Sequence, residues 1–120
     1  MDLLEIFKDS DALEDYPAGS VIMEEGAQGN LMFVVIEGEV RVSLKDKLLA
    51  IVGAGGIVGE MAMLSPDLRS ATVTAETDCK LATIDRASFE SMLRYVPDFS
   101  MHVMNVLAGR LQTAYEMIEP

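Results

Sequence analysis

The chain has 120 residues and is half apolar, enough for one hydrophobic core and too little for two. Its 20 Asp and Glu against 9 Lys and Arg leave a formal charge of −11, which repels nucleic-acid backbones and anionic membranes at long range, so direct binding to either is not expected. The one cysteine, Cys79, excludes an internal disulfide, no signal-like segment opens the chain, and no apolar run is long enough to cross a bilayer; the expected setting is the cytoplasm.

Along the chain, Leu3, Leu4, Ile6 and Phe7 predict a turn or two of amphipathic helix ahead of the acidic run Asp9–Asp15. From Tyr16 to Asp85 the pattern changes to short β-prone runs: Val21–Glu24, Leu31–Ile36, Val40–Leu44, Leu48–Val52, Ala71–Ala75 and Cys79–Ile84. Turn residues separate them, including Glu37-Gly38, Lys45-Asp46-Lys47 and Gly53–Gly56. Many short strands closely spaced predict an antiparallel β-roll. Asp85 is a candidate N-cap for a helix carrying Phe89, Met92 and Leu93, which should end before Pro97. A second helix should start at Asp98. Its residues Met101, Met104, Ala108, Leu111, Tyr115 and Ile118 step by three and four, a heptad seam that predicts a homodimer through this helix; a surface helix with one broad apolar face is the alternative. The expectation is thus one domain over 1–120: a helical segment at 1–15, a mainly β roll over 16–85 and two flanking helices over 86–118.

The segment 57–73 carries the chemistry. Gly59 precedes a short helix that Ser65-Pro66 must stop, and Arg69, Ser70 and Ala71 return just before a strand. Unsatisfied backbone N–H groups at a helix start favour an anion, and an arginine fork is suited to phosphate oxygens. Ser70 adds a hydroxyl donor, and Ala71 leaves room for close backbone approach. Glu60 beside such a site needs donors of its own, which a ribose hydroxyl supplies. One carboxylate for a sugar, one arginine for a singly charged phosphate and no metal ligands describe a cyclic nucleotide better than a triphosphate, which calls for Mg²⁺ and a lysine-bearing loop.

These residues, Gly-Glu-Met-Ala-Met-Leu followed by Arg-Ser-Ala nine residues after the Glu, resemble the phosphate-binding cassette of cyclic-nucleotide-binding domains. The resemblance extends over nearly the whole chain, through Tyr16–Ile22, Glu24-Glu25-Gly26 and Met32–Val42, and from Arg69 to Gln112 it is to the sensor half of the bacterial catabolite activators. It implies a β-roll with flanking helices. Gly59 and Glu60 would hold the ribose, Arg69 and Ser70 the cyclic phosphate, and the amides of Ala62 and Ala71 would complete a cradle that also includes Met61. It also implies that Arg110 reaches back toward the ligand or Glu60. Where the activators place an adenine-contacting Thr, this chain has Ala114 followed by Tyr115. Ser70, in place of the Thr of many cGMP-selective relatives, makes cAMP the expected ligand over cGMP.

Competing readings are weaker. The run Leu48–Gly59 looks like a dinucleotide fingerprint, but Pro66 interrupts the long helix such a unit needs, and its neighbours are strand-like. His102 is the only histidine, so neither a multi-histidine metal site nor a hydrolytic triad can be assembled, and no enzyme activity or prosthetic group is expected. The alternative function is a degenerate roll that binds no nucleotide and serves as a dimerisation or docking module.

Overall fold

Among the described residues eight strands pair antiparallel in two four-stranded sheets, and the chain crosses between the sheets at every connection except the β4–β5 hairpin. One sheet has the order β1-β8-β3-β6 and the other β2-β7-β4-β5, with β1 Leu13–Tyr16, β2 Val21–Met23, β3 Met32–Glu37, β4 Val40–Leu44, β5 Lys47–Val52, β6 Ile57–Val58, β7 Thr72–Ala75 and β8 Cys79–Ile84. This is the predicted β-roll. The structure is a computed structural model that describes residues 1–63 and 71–118; the predicted phosphate contacts Arg69 and Ser70 lie outside the described residues. The chain forms two compact units, one from Asp2 to Ser88 and one from Phe89 onward together with Met1.

The core of the first unit lies between the sheets. Phe33, Val35 and Leu81 from one sheet meet Met23, Val40, Val73 and Ala75 from the other. Strand β3 also buries the alternate residues Met32, Val34 and Ile36. A strand covered on both faces reads as an unbroken apolar run, which is what Met-Phe-Val-Val-Ile is. Helix α1, Leu3–Phe7, packs against β3 and buries Leu3. Its first turn is capped by Asp2, whose Oδ1 accepts the Glu5 N–H at 3.2 Å.

Two strands depart from the sequence expectation. β1 falls inside the stretch 1–15 expected to be helical, because Glu14 and Asp15 sit exposed on an edge strand whose backbone pairs with β8. Ladder hydrogen bonds set its conformation, and its charges remain in water. β6 is two residues long, too short to show a period, and is fixed by pairing Ile57 and Val58 with Val34 and Phe33.

In the second part of the chain, α2 spans Arg86–Tyr95 and α3 Phe99–Ile118. The Ser88 N–H donates to Asp85 Oδ1 at 2.8 Å, the N-cap expected from sequence. The break falls at Val96-Pro97-Asp98. Asp98 adopts a left-handed φ of 68°, and its carbonyl accepts the His102 N–H at 3.0 Å, so it caps α3 as its half-in first residue. Phe89 and Phe99 meet edge to face across this corner, ring centroids 5.6 Å apart.

Candidate functional site

The site begins with a glycine turn pinned to the central strand. The Gly55 N–H donates to the Val35 carbonyl at 2.7 Å, and the Val35 N–H donates to the Gly56 carbonyl at 2.9 Å. A Cβ on Gly56 would run into the Val52 side chain, so the turn closes tightly only with glycine. The glycines of the apparent dinucleotide fingerprint therefore serve to deliver β6. Strand β6 ends at Gly59, whose φ of 77° lies in the left-handed region and turns the chain into a 3₁₀ helix, Glu60–Met63. That turn packs beside β3.

Glu60 opens the 3₁₀ turn and is 6% exposed, the one buried charged side chain among the described residues. A carboxylate removed from water must be met by donors, so its placement marks a polar group in a turn whose other buried residues, Ala62 and Met63, are apolar. Met61 points outward and is exposed. The Ala62 N–H donates to the Gly59 carbonyl at 3.1 Å, so this predicted cradle donor is engaged within the turn. An incoming anion would have to share it or displace that bond. Ala71 is buried where the chain re-enters β7. The structure thus brings Gly59, Glu60, Met61 and Ala62 into one turn and sets Ala71 at the head of β7. Arg110 is half-buried in the middle of α3, in the other unit. Ala114 and Tyr115 are exposed further along the same helix.

One connection near this segment was not legible in the sequence. Both carboxylate oxygens of Glu25 accept the Lys45 N–H, at 3.2 and 3.1 Å, and the Glu25 N–H donates to Thr72 Oγ1 at 3.1 Å. The partners lie 20 and 47 residues away, a separation at which no local pattern gives a signal.

A two-sheet antiparallel roll that holds a buried glutamate in a glycine-led turn, with Arg-Ser-Ala following in sequence, has the architecture and residue pattern of a nucleotide-binding regulatory domain. Residues 13–95 match the family model of the cyclic nucleotide-binding domain, and the chain belongs to that family. It is 28% identical over 121 residues to the cAMP-activated global transcriptional regulator CRP of Salmonella typhimurium, covering 96% of this chain and 58% of the relative. Among solved structures it resembles the catabolite activator protein of Thermus thermophilus, with a TM-score of 0.78 and 28% identity over 89% of this chain and 53% of that one. It is likewise similar to a structure described as cAMP-bound PfPKA-R, with a TM-score of 0.78 and 30% identity over 98% of this chain and 41% of that one. The chain spans about half the length of the curated transcriptional regulators it matches, between 46% and 58%. Among the described residues, no helix is long and apolar enough to cross a membrane.

Proposed function

We propose that this chain is the cAMP-binding sensor of a regulatory protein and converts nucleotide binding into a movement of its last helix. The observation that carries this reading is the buried Glu60 in the turn after Gly59, nine residues before Arg69, inside a roll of the cyclic-nucleotide-binding family. Glu60 and the Gly59 backbone take the ribose. Arg69 and Ser70 take the cyclic phosphate, with the Ala71 amide and, once its internal bond is exchanged, the Ala62 amide. The cAMP-activated regulator and the cAMP-bound structure among its relatives support a cyclic-nucleotide ligand, and Ser70 after the arginine supports cAMP over cGMP.

Coupling to α3 rests on the corner at Val96-Pro97-Asp98, where a proline and a left-handed residue separate two helices. Ligand shifts the helix only to the extent that it binds the two helix positions unequally. The seam residues Met101, Met104, Ala108, Leu111, Tyr115 and Ile118 are all exposed, whereas Val103 is buried and Val106 and Leu107 are half-buried. This division supports α3 as the helix through which two copies pair; Arg110, seven residues after the buried Val103 and so on the face away from that seam, is the α3 residue proposed to answer the ligand.

A thermal-shift comparison with cAMP, cGMP and AMP tests the reading, because a ligand that binds only the folded state raises its midpoint by mass action. The largest shift is expected with cAMP. In calorimetry, Arg69→Ala should lose roughly 2–3 kcal/mol of binding free energy, the scale of a charge-assisted contact. No shift with any cyclic nucleotide would leave the dimerisation or docking module as the function of the roll.

A further inference from the structure

We infer that Glu25 is a positioning residue for the nucleotide cradle, clamping the β4–β5 turn and the head of β7 to one loop. This deepens the proposed function and rests on the cassette assignment. Glu25 lies in the connection between β2 and β3 and is half-buried. Its side chain supports the turn: Lys45 and Asp46, with φ of 50° and 65°, make the two-residue hairpin between the paired Leu44 and Lys47, a left-handed conformation that such hairpins require and that non-glycine residues hold at a cost a restraint from outside the turn helps to offset. Two carboxylate oxygens on the Lys45 N–H, at 3.2 and 3.1 Å, supply that restraint. Its backbone holds the strand: the Glu25 N–H donates to Thr72 Oγ1 at 3.1 Å. Thr72 is the first residue of β7, pairs with Ser43 of β4, and stands three residues after Arg69.

The consequence follows from chain geometry. Peptide units are planar and consecutive Cα atoms keep a fixed spacing, so the position of Thr72 bounds the reach of the preceding residues. Fixing Thr72 from the loop, and fixing that loop from the β4–β5 turn, narrows the placements from which Arg69, Ser70 and Ala71 can meet a phosphate. Without the clamp Thr72 is held by its ladder pairing with Ser43 alone, so the head of β7 has more freedom to lose at binding, which weakens affinity. Glu25 need not touch the nucleotide for this.

The test is cAMP calorimetry on Glu25→Ala, Glu25→Gln, Thr72→Val and the Glu25→Ala/Thr72→Val pair, each well below its own unfolding midpoint so that unfolding does not contribute. Glu25→Ala and Thr72→Val should each raise Kd about 3- to 10-fold, the effect of losing one hydrogen bond. Glu25→Gln, which keeps an acceptor oxygen toward Lys45, should stay within about 2-fold of the parent, since one neutral acceptor replaces a stronger charged one. The double variant should bind no worse than the weaker single one, because both changes open the same clamp. Parental affinity in Glu25→Ala, or effects of the two substitutions that simply multiply, overturns the inference. Should Glu25→Ala not fold, Thr72→Val and Glu25→Gln carry the test, and parental affinity in Thr72→Val overturns it. A parent protein that binds cAMP and loses it with Arg69→Ala, yet is indifferent to Glu25, sinks the clamp alone; a parent that binds no cyclic nucleotide sinks the cassette assignment and the clamp with it.

Discussion

Gly38 lies so close to the Asp78 carbonyl that no side chain fits between them. A Cβ on Gly38 would run into that oxygen and would stand 2.8 Å from Thr77 Oγ1 and 3.0 Å from Cys79 Sγ, while the residue itself holds φ at 86°. The β3–β4 turn is thereby pressed onto the start of β8, and the Glu39 N–H donates to the same Thr77 hydroxyl at 3.0 Å. Alanine here meets both a left-handed backbone and a steric conflict with main chain. Gly38→Ala should cost about 2–4 kcal/mol, combining those two penalties, measured as a fall in the urea midpoint at unchanged slope.

Glu60→Gln exchanges a carboxylate for an amide of the same shape in a buried position. It should weaken cAMP about 10-fold, the scale of a hydrogen bond losing its charged acceptor, and weaken 2′-deoxy-cAMP far less. Competition binding with both nucleotides checks this; equal losses on the two would remove the ribose from Glu60.

Asp85 is held below the usual carboxylate range, first by the hydrogen bond from the Ser88 N–H and then by the Ser88 side chain. A depressed folded-state value means that its stabilising effect is present above the ordinary aspartate value and is lost as the pH falls below it. Asp85→Asn keeps an acceptor for the cap without the titration, so the acid limb of its stability profile should be shallower than that of the parent. Asp85→Ala should lower the melting midpoint at neutral pH as well.

Tyr16 has its phenol pushed up to about 12, chiefly by burial and then by the hydrogen bond it donates to Glu14 Oε2 at 2.6 Å. The folded state keeps this proton when an unfolded chain would release it. The associated stability is complete below pH 10 and declines as the pH rises from there toward 12. Ultraviolet titration of the phenolate should show a late component that Tyr16→Phe removes.

Much of this architecture is legible in the sequence, for reasons tied to particular residues. β4 and β8 fall on the expected residues because their apolar runs are bounded by Glu37-Gly38, Lys45-Asp46 and Glu76-Thr77-Asp78. Pro97 placed the helical corner by its restriction of the residue before it. β1 was hidden because long-range pairing, not composition, makes Leu-Glu-Asp-Tyr a strand. Gly59 and Glu60 were legible as a motif of residue types at fixed spacing. The Glu25 clamp was not, since it joins three separate stretches of chain. The engagement of the Ala62 amide within its own turn also needed geometry, because sequence fixes that a short helix starts there and not which of its donors remain available.

The setting of Cys79 has a practical outcome. It is the chain's one cysteine, it is 5% exposed, and its thiol faces the carbonyls of Glu39 and Thr77 at 3.1 and 3.2 Å. Maleimides and iodoacetamides will reach it only when β8 opens. A cysteine introduced at an exposed position off the pairing seam, such as Thr113 or Glu116, will therefore be the single rapidly labelled atom, and a fluorophore or spin probe can be attached to α3 without first removing the native sulfur.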